Sequence, residues 1–92
     1  MINKKINAIR IKLDLLDNKM LDIIKKRNNL VDLVLKEKQF KKEIIDKKRI
    51  KDILKRIKFK SINKNIDPKI TNKIWEAMIK AFISYEFRNF KK

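Results

Sequence analysis

Residues 6–38 read INAIRIKLDLLDNKMLDIIKKRNNLVDLVLKEK. Apolar side chains recur at Ile6, Ile9, Leu13, Leu16, Met20, Ile23, Leu30 and Val34 in alternating steps, mostly of three and four, and Ile24 and Val31 form a second column beside them. No glycine or proline interrupts the run. That spacing predicts one long amphipathic helix carrying a heptad seam. We expect it over residues 4–40, behind a polar lead-in at residues 1–5. At about 1.5 Å per residue such a helix extends roughly 50 Å, too long to fold back on a small monomeric core. Arg27 breaks the seam: it stands where Ile6, Leu13, Met20 and Val34 recur every seven residues. A cation in a covered apolar seam costs several kcal/mol unless an anion meets it. Arg27 is therefore either paired with a neighbouring carboxylate or placed for an anionic ligand.

Ninety-two residues make one domain, taken here as 1–92, with little surface to bury alone. A helix of this length in so short a chain points to an obligate oligomer. The absence of glycine disfavours phosphate-cradling loops, and the absence of cysteine removes disulfides and thiolate chemistry. With no histidine the commonest acid–base and metal-ligand side chain is missing. No apolar run approaches the roughly 18 residues of a membrane span, and the first residues lack a signal-peptide core, so a cytoplasmic protein is expected.

The net charge is +16. Lysines are spread along the whole chain rather than gathered in one tail, which reads as a solvated surface; neither nucleic acid nor membrane is the expected partner. Against 22 lysines the five arginines, Arg10, Arg27, Arg49, Arg56 and Arg88, are informative. Where lysine is the default cation, arginine marks a need for a planar, bidentate fork. Lys38 follows Arg27 by almost three helical turns and would point the same way, about 16 Å along the axis. Arg10 lies roughly 25 Å before Arg27 and cannot reach the same small ligand within one straight helix. If it shares that site, it comes from a second chain.

Residues 39–45 (QFKKEII) read as a break. A second helix is expected over 46–60, with Ile50, Ile53, Leu54 and Ile57 on one face, Arg49 one turn before Ile53, and Asp46 as either N-cap or site residue. Ser61–Asp67 reads as a polar connector. Asp67-Pro68 is a strong helix start, opening a third helix over 68–90. Its expected inner face is Ile70, Ile74, Ala77, Met78, Ala81, Phe82 and Tyr85, thickened by Trp75, Ile83, Phe87 and Phe90. Glu86 sits near that face, either an exposed edge residue or a group aimed at a ligand. The fold class is all-α: one long helix and two shorter ones in a homodimer.

Arg27, Lys38 and Arg49, with Arg10 a candidate fourth, describe a cationic pocket within an apolar bundle. It suits a small molecule with two carboxylates, and placed donors would stabilise charge developing in a transition state. No nucleophile or proton shuttle is evident, which favours a rearrangement driven by shape and electrostatics.

The pattern Arg10-x2-Leu13-x2-Leu16-Asp17-x2-Met20-Leu21-x2-Ile24-x2-Arg27-x2-Leu30 resembles the first helix of the all-helical chorismate mutases. The similarity continues through Lys38, Asp46-x2-Arg49 and Ile74-Trp75-x2-Met78-Ile79 to Glu86. It implies an intertwined homodimer with paired first helices, acting on the dianion chorismate to give prephenate without cofactor or metal. By position, Arg10 of the second chain and Arg27 would hold the carboxylates, and Lys38 would donate to the ether oxygen as the C–O bond breaks. Arg49 would support the carboxylate end, and residues around Asp46 would line the ring hydroxyl. Glu86 would be the second donor to the ether oxygen, a role that requires its protonated form. The residue after Arg49 is commonly Glu in these mutases and is Ile50 here. The related isochorismate-pyruvate lyases carry an apolar residue there, which makes a lyase the alternative enzyme. A basic helical module that binds nucleic acid or another protein is the non-enzymatic alternative.

Overall fold

The computed structural model describes residues 3–92; the first two residues of the expected lead-in, Met1 and Ile2, lie outside the described residues. Among those described, three α-helices and one short 3-10 turn account for the regular structure, with no strand: α1 is Lys4–Glu37, α2 Lys47–Asn63 and α3 Pro68–Asn89, and the 3-10 turn Lys41–Glu43 precedes α2. No helix among the described residues is long and apolar enough to cross a membrane. The chain divides into two compact units, the first running through Val31 and the second Asp32–Lys92.

The first unit is helix alone. Asn3 opens it: its side-chain oxygen accepts from the N–H groups of Lys5 and Ile6 at 3.0 and 3.2 Å, satisfying two donors that have no partner inside a helix. The seam residues Ile6, Ile9, Leu13, Leu16, Met20 and Ile23 are all exposed, as are Ile11 and Leu15 away from the seam. Leu13, for example, is 53% exposed.

In the second unit α2 and α3 pack against each other. Asp46 caps α2, its carboxylate accepting from the Arg49 N–H at 3.0 Å. Asp67 caps α3 through the Lys69 N–H at 2.9 Å, with Pro68 in the first turn. Both starts agree with the sequence expectation. The end of α2 does not. The helix continues through Asn63, so Ser61–Asn63 belong to it and not to a connector. It stops in a Schellman arrangement: Ile66 N–H donates to the Ser61 carbonyl and Asn65 N–H to that of Ile62. Asn65 takes the left-handed conformation, φ 58°, that such a stop requires; in a chain without glycine, asparagine is the residue that tolerates it best.

The face of α3 that becomes covered keeps Met78, Phe82 and Tyr85 of the expected inner face, with Trp75, Ile83 and Phe90 beside it, and leaves out the other four inner residues. Ile70, Ile74, Ala77 and Ala81 are exposed, whereas Thr71 and Glu86 are buried and Trp75, Met78, Phe82 and Tyr85 half-buried. The two columns are offset by one residue, about 100° around the helix, and each has helical spacing. Apolar pattern alone cannot choose between them.

Only two apolar side chains among the described residues are buried, Leu35 and Ile44, and polar groups join them inside. The Ser61 hydroxyl donates to the Ile57 carbonyl at 2.6 Å and pairs with the Thr71 hydroxyl at 2.7 Å, linking α2 to α3. We expect Ser61→Ala to lower stability by about 1–2 kcal/mol, because it strips the closest partner from the buried Thr71 hydroxyl. Thr71→Val is the milder change, since Ser61 keeps Ile57. Urea unfolding of both variants checks the order; the reverse order would mean that this link does not hold the helices together.

Candidate active site

The helix α1 ends at Glu37, three residues before the expected residue 40. Lys38 is therefore the first residue beyond it, and periodicity from Arg27 does not set its direction. The reason is local. The Lys38 N–H reaches back only to the Leu35 carbonyl, at 3.2 Å. The next two N–H groups, of Gln39 and Phe40, both donate to Glu43 Oε2, at 2.6 and 2.7 Å. A carboxylate that takes those donors removes them from the helical ladder. Glu43 returning to the Phe40 N–H is half of a capping box. Phe40, lacking a side-chain acceptor, leaves the other half unmade.

Released from the helix, Lys38 turns to α3. Its Nζ donates to Glu86 Oε1 at 2.8 Å, across 48 residues of sequence. Glu86 is 7% exposed, and this is the one ion pair among the described residues. Glu86 is thus neither an edge residue nor loose. One residue earlier on α3, the Tyr85 hydroxyl donates to Asp32 Oδ1 at 2.6 Å, and Phe82 stacks edge-on against the Tyr85 ring. Two successive residues of α3 are in this way tied to the segment 32–38.

Lys38 also lines an open cleft of about 500 Å³ together with Glu43, Ile45, Asp46 and Lys47. Asp46 is both a wall of this cleft and the cap of α2. Of the residues singled out from sequence, Lys38 bonds Glu86 and shares the cleft with Asp46, all three in the second unit. Arg49 follows Asp46 on α2 and is exposed, engaged through its backbone N–H. Arg10 and Arg27 stand exposed on α1 in the first unit, and no side-chain hydrogen bond or ion pair holds either among the described residues. Ile50 is half-buried on α2. Among the described residues no group of three or more acidic, His or Cys side chains is gathered to hold a metal ion.

Sequence reasoning passed over Glu43, Ile45 and Lys47. The only signal for Glu43 was its place within the break at 39–45, three residues after Phe40, and without Ser or Thr at Phe40 the capping box was not legible. Its carboxyl is held below the usual glutamate range, chiefly by the Phe40 N–H and next by that of Gln39, with weaker attraction from Lys38 and Lys42.

A family model described as chorismate mutase type II matches residues 9–87. That span is most of the chain, and the chain belongs to this family. No curated protein and no solved structure gives a significant match.

Two measurements follow from this geometry. Lys38→Met leaves Glu86 as an unpaired buried carboxylate, so it should destabilise by about 1–3 kcal/mol. The double change Lys38→Met/Glu86→Leu should recover part of that loss in urea unfolding; additive losses would show the pair to be uncoupled. For Glu43, the native carboxyl ionises at lower pH than in the unfolded chain. Its contribution is thus present above the unfolded value and lost as pH falls through the native one. The amide shifts of Gln39 and Phe40 should hold steady down to the ordinary glutamate range and move only below it. Movement within that ordinary range would contradict the assignment.

Proposed function

We propose that this protein is a chorismate mutase that rearranges chorismate to prephenate as an intertwined homodimer. The observation that carries the reading is the 2.8 Å contact between Lys38 and Glu86. Family resemblance assigns these two positions to one substrate atom, the ether oxygen, and they lie 48 residues apart in sequence. A generic basic helical module has no need to bring that lysine to that glutamate.

The chemistry is a single pericyclic step, in which the ether C–O bond breaks as a C–C bond forms. Negative charge gathers on the ether oxygen while the substrate is held folded. In this reading the substrate opens the Lys38–Glu86 pair: Lys38 then donates to that oxygen, and Glu86, once it has taken up a proton, adds a second donor. Arg27, with Arg10 of the second chain, binds the two carboxylates, and Arg49 supports the carboxylate end. Asp46 lines the ring hydroxyl from its capping position. Each group acts by charge and placement; the proposal includes no cofactor or metal.

Dimerisation is supported by the state of α1. An apolar seam left open along a helix of 34 residues is large for a protein that stays monomeric, and a second α1 offers the same heptad spacing. Once the seam is covered, Arg27 would face an apolar interior. There an anionic substrate would offset the desolvation of its charge. We further propose that residues 1–92 act as one domain, and that the reaction belongs to aromatic amino acid biosynthesis in the cytoplasm.

Ile50 favours one competing reading, an isochorismate-pyruvate lyase, because a side chain without a polar atom cannot bond a ring hydroxyl. Purified protein given chorismate and isochorismate in parallel separates the two. Prephenate is the expected product, with little salicylate; dominant salicylate and pyruvate would make it a lyase. Arg27→Ala should lower chorismate turnover by about 100-fold or more while the dimer and its helical content persist. Turnover indifferent to Arg27→Ala would remove the mutase reading.

A further inference from the structure

We infer that Glu43 is a positioning residue for Lys38, acting through the backbone of the turn that follows α1. The inference rests on the mutase reading for its catalytic consequence, but its geometry stands without it. Lys38 lies just where helical hydrogen bonding fails, and its own N–H keeps only the short-range contact to Leu35. A four-carbon side chain reaching Glu86 from such a place has to be aimed by its Cα. The two residues after it have no helix or strand to hold them. What holds them is Glu43, whose Oε2 accepts both of their N–H groups at 2.6 and 2.7 Å.

The Glu43 backbone is itself fixed by the turn. Its N–H donates to the Phe40 carbonyl at 3.0 Å, and the Ile44 N–H donates to that of Lys41 at 3.0 Å. Ile44 then plugs the end of the turn into the interior, at 3% exposure. The loop is closed at one end by a charged acceptor and at the other by a buried apolar side chain. Bonds from N–H to a carboxylate are about twice as strong as neutral ones. Lys41 and Lys42 adjoin Glu43 in sequence, yet its carboxylate bonds to backbone rather than to either ammonium. With Oε2 so engaged, Glu43 acts through Lys38 even though it lines the same cleft.

The test compares wild type, Glu43→Ala and Glu43→Gln. With chorismate, Glu43→Ala should lower kcat about tenfold or more, because a small displacement of a donor weakens transition-state contact. KM should change less than about threefold, since the carboxylate-binding arginines are untouched. Glu43→Gln should keep most of kcat, its amide oxygen still accepting the two N–H groups. A second readout needs no turnover: the urea-midpoint shift caused by Lys38→Met, measured in wild type and again in Glu43→Ala. It should shrink in Glu43→Ala, where Lys38 is no longer held at Glu86. Should Glu43→Ala not fold, Glu43→Asp, one methylene shorter, takes its place in both comparisons. An equal Lys38→Met shift in both backgrounds overturns the inference, as does a kcat that Glu43→Ala leaves unchanged. If wild type itself does not convert chorismate, the mutase reading fails, and the unfolding comparison alone still decides whether Glu43 positions Lys38.

Discussion

The ion pair between Lys38 and Glu86 is the contact on which the second unit turns. It joins the residue just past α1 to the last turn of α3, at a distance of 2.8 Å and largely out of water. Burying a carboxylate is unfavourable unless a partner meets it, and here one lysine among 22 does so. That lysine reaches it because α1 stops at Glu37 and not a few residues later. The stop in turn depends on the Glu43 carboxylate drawing off two backbone donors. Helix end, turn and ion pair form one chain of causes.

Polar contacts carry much of what little interior this chain has. Leu35 and Ile44 are buried, and so are the polar Ser61, Thr71 and Glu86, each with a hydrogen-bonded partner. No buried side-chain nitrogen or oxygen among the described residues lacks a partner. Such groups add geometric specificity, since they bond well only in one register, while the apolar area that would add stability lies exposed along α1 and on α3. A chain built this way fixes the Lys38–Glu86 contact inside the second unit and leaves most of its apolar surface exposed.

Much of the architecture was legible from local chemistry. Asp46 and Asp67-Pro68 mark helix starts because a carboxylate accepts orphan N–H groups and proline needs no donor, and both marks held. Helix ends were less legible. The extension of α2 to Asn63 turned on an asparagine at positive φ, and the early stop of α1 on a glutamate six residues beyond it. For α3 the expected inner face mixed two columns, only one of which is covered. Lys38 stands out by its helical spacing from Arg27 and Glu86 as a carboxylate near an apolar face, both one-dimensional signals; their mutual contact is part of neither.

By itself the sequence determined the helical class, the helix starts, the heptad seam of α1 and membership of the chorismate mutase type II family. These follow from spacing, from capping chemistry and from residue identity at fixed intervals, all of which are local or additive along the chain. Only the tertiary structure decided which face of α3 is covered, that Ser61 and Thr71 meet, and that Lys38 bonds Glu86. Those outcomes depend on where a chain of dihedral angles carries side chains that are 10 to 48 residues apart. A change of one residue at the end of α1 rotates everything after it by about 100°, so no periodicity read along the sequence could have placed them.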